Sequence, residues 1–289
     1  MSTVPALQLL DPGLRYHDPN GMALKNEILQ TIINALKNSP RSLQKALGPS
    51  EISIPCTRLI GYKLLGIPER ERVVNWKAAV GTGGHLLMED IFDAYNLANE
   101  QYLNGQERFY IETRVNIGEI NGEPITGKAD VYDRVTATVV DWKFPGPSML
   151  EGYRRKGPGQ QYRGQAHGYG RGFVRAGLPV ERVMIIFLPR HGELDDCYVW
   201  SEPYDEQVAL NALQRVEGVD HATKALGVAA LELLPTDNHY CSTCQYFKHK
   251  STNLEEGCPG DSSSPVHTKT DPNEPAFGYV TPTRQGALT

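Results

Sequence analysis

Residues 124–144 read PITGKADVYDRVTATVVDWKF, and this stretch decides the fold predicted for the chain. Two short segments rich in Val, Ile, Thr and Tyr flank a turn at residues 133–136, which is the pattern of a β-hairpin. Because side chains alternate along a strand, Asp141 and Lys143 share one face of the second strand, roughly 7 Å apart. Asp130 lies on the first strand. The hairpin therefore brings two carboxylates and an ammonium group toward the ends of adjacent strands.

Two carboxylates in one place repel each other unless a proton or a cation lies between them. Mg²⁺ binds one or two protein carboxylates and leaves its other positions to water and substrate phosphate. Such an ion lowers the pKa of a bound water and neutralises charge on phosphate. The hairpin therefore predicts a metal site with Lys143 beside the attacking water. A surface hairpin with a solvated Asp–Lys pair is the alternative interpretation.

Other polar residues extend this pattern. Residues 76–99 have the apolar spacing of a long helix, on which His85 and Glu89 share a face. Glu112 lies in a strand predicted at residues 108–117, and we expect a supporting or surface role for it. Gln165 and Tyr169 lie one turn apart in a helix predicted from residue 161 to about residue 176. Their amide and phenol groups are suited to hydrogen-bond phosphate, water or the lysine.

The segments GKAD (127–130), DWK (141–143) and QAHGY (165–169) resemble, in this order, the three motifs of RecB-like nucleases in the PD-(D/E)XK superfamily. Cysteines at position 56 and at positions 241, 244 and 258 bracket these motifs. The same arrangement occurs in the iron–sulfur members, namely the fourth CRISPR-associated (Cas) protein exonuclease family and the AddB nuclease domain. The similarity spans residues 52–260.

The resemblance implies an α/β fold with a restriction-endonuclease-like core, in which helices flank a mixed β-sheet. It implies a metal-dependent DNA exonuclease acting on single-stranded or duplex ends in recombination, repair, replication or CRISPR spacer acquisition. Helicase, recombination or CRISPR adaptation proteins would then be partners. The alternative is a non-catalytic DNA-end-binding adaptor that retains the fold.

The same resemblance assigns roles to individual residues. The ligands of one Mg²⁺ or Mn²⁺ ion would be His85, Asp130 and Asp141. The catalytic residues would be Asp130, Asp141, Lys143, Gln165 and Tyr169. Lys143 would orient or deprotonate the nucleophile and stabilise charge in the transition state.

Four cysteines form the second candidate site. Cys241 and Cys244 are separated by two residues, a spacing that lets both bind one metal atom. Disulfides are rare in the cytosol, so metal ligation is the better interpretation there. The resemblance assigns Cys56, Cys241, Cys244 and Cys258 to a 4Fe-4S cluster. A zinc site or a zinc-ribbon regulator is the alternative, and His249 is an alternative to Cys258 because the last interval is usually shorter in the family.

The composition, with 40% hydrophobic and 22% charged residues, is that of a globular protein without a membrane span. No secretory signal is visible, so we expect a cytoplasmic location, in a bacterial host if the protein is virus-encoded. The formal net charge is −5, yet residues 152–180 carry six basic residues and no acidic ones. This local charge favours DNA binding, with an ordinary solvated helix face as the alternative. The predicted DNA contacts are Arg154, Arg155, Lys156, Arg163 and Arg171.

The chain divides into three parts. Residues 1–50 are predicted to form a lead-in and a helical appendage, with a helix from Met22 to about Leu47 and a break at Pro40. Residues 51–260 form the nuclease domain, and residues 261–289 are predicted to be a disordered tail. Within the domain the remaining predictions are a basic loop at 145–159, strands at 182–188 and 197–203, and a helix at 205–234.

Overall fold

The computed structural model describes residues 21–38, 47–69, 75–100, 105–241 and 244–261. The predicted lead-in at residues 1–20 and the predicted tail beyond residue 261 lie outside these ranges. The strands are β1 (Phe109–Ile120), β2 (Glu123–Asp133), β3 (Thr138–Lys143), β4 (Arg182–Phe187) and β5 (Tyr198–Pro203). The helices are α1 (Met22–Lys37), α2 (Thr57–Leu64), α3 (Trp76–Asn99), α4 (Pro147–Lys156), α5 (Gly159–Arg175), α6 (Glu206–Leu226), α7 (Ala230–Leu233) and α8 (Asn238–Cys241). In the described ranges, every helix is too short or too polar to cross a membrane.

The five strands form one mixed sheet in the order β1-β2-β3-β4-β5. Neighbouring strands are antiparallel except β3 and β4, which run parallel and are connected through α4 and α5. The predicted hairpin is confirmed as β2 and β3, with Val131 paired to Val140 and Asp133 paired to Thr138. The predicted α/β class, a mixed sheet flanked by helices, is therefore confirmed.

Aromatic side chains fix the helices to the two faces of the sheet. Because Val131 pairs with Val140, Tyr132 and Trp142 point to opposite faces. Tyr132 stacks on Phe173 of α5 with ring centroids 4.5 Å apart, whereas Trp142 packs against Phe92 of α3 at 5.4 Å. Each fully buried ring contributes roughly 1.5–3 kcal/mol of transfer free energy. Helix α5 therefore covers one face and α3 covers the other.

Helix α5 contains glycines where it closely approaches its neighbours. A Cβ atom at Gly172 would lie 2.6 Å from Val115 of β1, and one at Gly164 would lie 1.9 Å from the Oγ of Ser53. Each glycine costs the helix about 1 kcal/mol relative to alanine. The close packing offsets that cost, and the helix predicted despite its glycines is confirmed.

The prediction of a loop at residues 145–159 was wrong, because the segment contains α4. Pro147 stands in the first turn, where the missing N–H of proline costs nothing, and Gly157 follows the last turn with φ 73°. Leu150 is buried and holds the helix to the domain. Proline and glycine here mark the two ends of a helix, and reading them as loop residues caused the error.

One predicted helix is shorter than expected, and another is described only in part. Helix α1 ends at Lys37, and the rest of the helix predicted to Leu47 includes residues 39–46, which lie outside the described ranges. Helix α6 ends at Leu226 because Gly227 takes a φ of 58°, and a short 3-10 turn and α7 follow. Neither difference changes the position of the sheet.

Candidate active site

Helix α3 places His85 next to the carboxylate of Asp130. The imidazole Nδ1 lies 3.3 Å from Oδ1 of Asp130, and the other carboxylate oxygen accepts a hydrogen bond from the backbone N–H of Trp142 at 2.7 Å. Gly84 allows this approach, because a Cβ there would lie 2.7 Å from the ring of Phe144. The two predicted ligands are therefore in contact, and strand β3 orients the carboxylate.

Glu112 joins this pair from strand β1. One ligand atom from each of His85, Glu112 and Asp130 lies within 4.8 Å of the other two. Glu112 has a φ of 45° within its strand, a conformation that costs of order 1–3 kcal/mol and is concentrated at functional sites. Burial, and then the charge of Asp130, raise the pKa of the Glu112 carboxyl group. The structure thus places in the donor cluster a residue for which the sequence indicated only a supporting or surface role.

Asp141 and Lys143 form an ion pair next to this cluster. Asp141 is 1% exposed, and the Lys143 ammonium forms an ion pair with its Oδ2 atom. Burial raises the pKa of Asp141 to about 6, Lys143 opposes this shift, and Asp130 adds to it. Both Asp141 oxygens are buried, and among the described residues Oδ1 has no hydrogen-bond donor. Among the described residues, the group of close ligand atoms is His85, Glu112 and Asp130, and Asp141 lies beside it.

Helix α5 borders the same pair with polar side chains. The Nζ of Lys143 lies 4.8 Å from the ring centre of Tyr162, a cation–π contact. Gln165 donates from Nε2 to the Tyr169 hydroxyl at 3.3 Å, and both residues are buried. Burial, and then the charge of Asp141, raise the pKa of Tyr169, so its phenol stays protonated. The sequence did not single out Tyr162, because nothing in its local pattern distinguishes it from other buried tyrosines.

The five basic residues predicted to contact DNA are in two different settings. Arg154, Arg155 and Lys156 form the last turn of α4. Arg163 and Arg171 each pair with a glutamate of the fold, at 2.6 Å and 3.1 Å respectively. Arg154 and Arg155 share one exposed partner, Glu151, at 3.7 Å each, so the end of α4 keeps a net positive charge, whereas Arg163 and Arg171 each have a glutamate of their own.

Four cysteines, one near the start of the domain and three near its end, line one small cavity. They are Cys56, which precedes α2, Cys241 at the end of α8, and Cys244 and Cys258 beyond it. His249 is exposed and does not line the cavity. Burial raises the pKa of the Cys56 thiol, and it raises that of Cys244 to about 12. The fold thus brings both ends of the domain to this cavity.

Comparison with known proteins found no matching family model and no matching curated protein. Among solved structures, the chain is similar to SSO0001, with a TM-score of 0.45 and 18% identity over 77% of this chain and 94% of that one. It is similar to an alkaline exonuclease (LHK-Exo) from Laribacter hongkongensis, with a TM-score of 0.40 and 12% identity over 71% and 99%. A phage-related exonuclease from Haemophilus somnus has a TM-score of 0.34 and 12% identity over 65% and 88%. Because these TM-scores are below 0.5, we derive the function from the site itself.

Proposed function

We propose that this protein is a metal-dependent nuclease that hydrolyses phosphodiester bonds at DNA ends. The observation that carries the proposal is the convergence of His85, Glu112 and Asp130 beside the buried pair of Asp141 and Lys143. Three strands and helix α3 supply these groups. An imidazole, three carboxylates and an ammonium group in one place suit the hydrolysis of a charged phosphate ester.

The donor set fits a divalent cation such as Mg²⁺ or Mn²⁺. Both ions prefer carboxylate oxygens, and a cation between crowded carboxylates relieves their repulsion. His85, Glu112 and Asp130 would hold the ion, and Asp141 would add an oxygen that has no hydrogen bond. When bound, the ion would neutralise phosphate charge and make a water more acidic.

The remaining groups act on the substrate directly. Lys143 would place a positive charge against the phosphate, and its position is fixed by Asp141 on one side and by the ring of Tyr162 on the other. Gln165 and Tyr169 would donate hydrogen bonds toward the phosphate from α5. The last turn of α4, with Arg154, Arg155 and Lys156, would follow the nucleic-acid backbone by charge.

We assign the chain to the RecB-like nucleases of the PD-(D/E)XK superfamily, with a restriction-endonuclease-like core. The support is that the three segments 127–130, 141–143 and 165–169 lie close together: Trp142 donates its backbone N–H to Asp130, and the charges of Asp141 and Asp130 both act on Tyr169. The place of the enzyme in recombination, repair, replication or CRISPR spacer acquisition is part of the same proposal.

We assign the cysteine cavity to a 4Fe-4S cluster, with zinc as the alternative. The support is that four thiols, one from the start of the domain and three from its end, line one cavity, and four cysteine thiolates are the usual ligands of such a cluster. Absorbance and the iron, sulfide and zinc contents of anaerobically purified protein test the assignment, and a colourless protein that contains zinc would contradict it.

The nuclease proposal is tested on end-labelled single-stranded and duplex DNA with Mg²⁺ or Mn²⁺. We expect the wild-type protein to shorten both linear substrates or one of them, and to leave covalently closed circles intact. Lys143→Ala and Asp130→Ala should lose at least about 100-fold in rate with the cluster absorbance unchanged. A wild-type protein that binds DNA but cuts none with either metal would instead be the non-catalytic adaptor.

A second experiment tests Glu112 as a ligand. Glu112→Gln keeps the shape of the side chain and removes its charge, so we expect the Mn²⁺ concentration for half-maximal activity to rise roughly 10- to 100-fold. Glu119→Gln is the matched control, because Glu119 is exposed near the other end of the same strand. Equal Mn²⁺ dependence in the two variants would remove Glu112 from the ligand set.

A further inference from the structure

Arg190 follows strand β4 at the end of the sheet where Lys143 lies. The last residue of β4, Phe187, pairs with Lys143 of the parallel strand β3. Beyond it, the backbone N–H of Leu188 donates to the Lys143 carbonyl at 2.8 Å, and that of Arg190 donates to the Pro145 carbonyl at 3.2 Å. Backbone hydrogen bonds thus anchor Arg190 to the segment that carries the lysine.

The guanidinium of Arg190 lies close to α3. A Cβ at Gly81, one turn before His85, would lie 3.9 Å from the Nη2 atom of Arg190. The charge of Arg190 also reaches Tyr162 of α5, where burial raises the pKa of the phenol and Arg190 opposes that shift in part. The same tyrosine contacts Lys143. The guanidinium is therefore near the helix that carries His85 and within electrostatic reach of the tyrosine that contacts the lysine.

No protein group in the described residues balances the charge of Arg190. Its Nε is buried and makes no hydrogen bond, and its guanidinium forms no ion pair with a described carboxylate. Arg163 and Arg171, by contrast, both pair with glutamates. The side chain as a whole is partly exposed, so an anion from outside can reach a guanidinium that no described carboxylate pairs. The planar fork of a guanidinium matches two oxygens of a phosphate.

We propose that Arg190 binds a backbone phosphate of the nucleic-acid strand, next to the phosphodiester that is cut. This inference rests on the proposed nuclease function and adds a substrate contact to it. Arg190 holds the neighbouring phosphate while Lys143 and the carboxylate cluster face the reacting one. The side chain thereby sets how far the strand advances into the site.

The first test measures DNA binding in EDTA, where the strand is bound and not cut. Arg190→Gln is compared with Arg182→Gln, because Arg182 is exposed at the opposite end of β4, roughly 20 Å away along the strand. We expect the Kd of Arg190→Gln for a short single strand to rise about 10-fold. The slope of log K against log salt should fall by about 0.7–1, the value of one lost phosphate contact. Arg182→Gln should behave as wild type.

The second test identifies the phosphate. Oligonucleotides that carry one uncharged methylphosphonate at successive positions should weaken binding of the wild-type protein at the phosphate that Arg190 contacts, and Arg190→Gln should be insensitive at that position. Arg190→Lys keeps the positive charge and removes the planar guanidinium, so it should keep most of the slope of log K against log salt. This variant provides the test if Arg190→Gln unfolds at too low a temperature.

The outcomes separate the two proposals. Equal Kd values and equal salt slopes for Arg190→Gln and Arg182→Gln would overturn the role of Arg190. If the wild-type protein still cuts DNA in that case, the nuclease proposal stands and only this contact is refuted. A wild-type protein that neither binds nor cuts DNA refutes the nuclease function and the contact with it.

Discussion

Replacing Gly84 by alanine tests whether the close approach of α3 to the sheet sets the position of His85. The new Cβ would lie 2.7–2.8 Å from three atoms of the Phe144 ring, whereas ordinary contact begins near 3.4 Å. The helix or the ring must therefore move by about 0.7 Å. His85 is the next residue in the helix, and its Nδ1 lies 3.3 Å from Asp130.

The expected energies follow from two opposing effects. Overpacking costs about 1–3 kcal/mol, and alanine in place of glycine within a helix returns about 1 kcal/mol. Gly84→Ala should therefore lower the free energy of unfolding by about 0–2 kcal/mol. A misplacement near 1 Å in a reacting geometry costs up to about 100-fold. We expect kcat/KM to fall 10- to 100-fold and the apparent Mn²⁺ affinity to fall with it.

Gly83→Ala is the matched control. Gly83 is the preceding residue of the same helix, and a Cβ there would meet no atom within 4 Å. This variant should gain up to about 1 kcal/mol in stability and keep wild-type activity. A second substitution, Phe144→Leu, should restore activity to Gly84→Ala because it removes the ring atoms in the way. If Gly84→Ala is as active and as stable as Gly83→Ala, the steric explanation for the position of His85 is refuted.

Three further predictions concern other parts of the chain. Cys258→Ser should lose metal and melt several degrees lower because it removes a group that joins both ends of the domain. Cys197→Ser, outside the cavity, should match wild type in metal analysis and thermal melting, and equal metal loss in both would contradict the assignment. Tyr162→Phe should keep kcat, whereas Tyr162→Leu should lose about 3- to 10-fold through the lost cation–π contact; equal rates would show that the ring does not position the lysine. Burial favours a higher pKa for Asp133, but the two Arg108 hydrogen bonds at 3.0 Å and those from Thr136 and Val135 outweigh it and lower the pKa. Because its pKa is depressed, the ionised Asp133 carboxylate stabilises the fold above about pH 3.9, the pKa of an unfolded aspartate, and this stabilisation is lost as the pH falls. Arg108→Met should therefore lower the free energy of unfolding by about 2 kcal/mol at pH 7. The cost should shrink below about pH 4 in urea unfolding, and a cost that is independent of pH would refute the account.

Local patterns were enough to predict most of the elements. Alternation of apolar residues predicted β2 and β3 as a hairpin, and helical spacing predicted α3 from Trp76 to Asn99, as observed. These predictions succeed because a strand or a helix with one buried face repeats its hydrophobic residues at a fixed period. The segment that became α4 carries few apolar residues, so the same reasoning failed there.

The residues of the candidate site were also predicted where they lie close together along the chain, and missed where they do not. Asp130, Asp141 and Lys143 could be selected from the sequence because they lie on one hairpin, and a few residues of local structure bring them together. The sequence did not predict that Glu112 joins His85 and Asp130. Its strand neighbours Asp130 only through the pairing of β1 with β2, and its unusual φ of 45° has no counterpart in the sequence pattern.

The sequence by itself determined the hairpin on which Asp130, Asp141 and Lys143 lie, and the cysteines that bracket the domain. The tertiary structure alone decided that Glu112 joins His85 and Asp130, and that the cysteines meet in one cavity. It also decided that Arg190, which pairs with no described carboxylate, lies beside α3 near the end of β3. The reason is physical: periodicity reflects contacts within a few residues along the chain, whereas these meetings depend on strand register and helix packing between segments far apart in sequence.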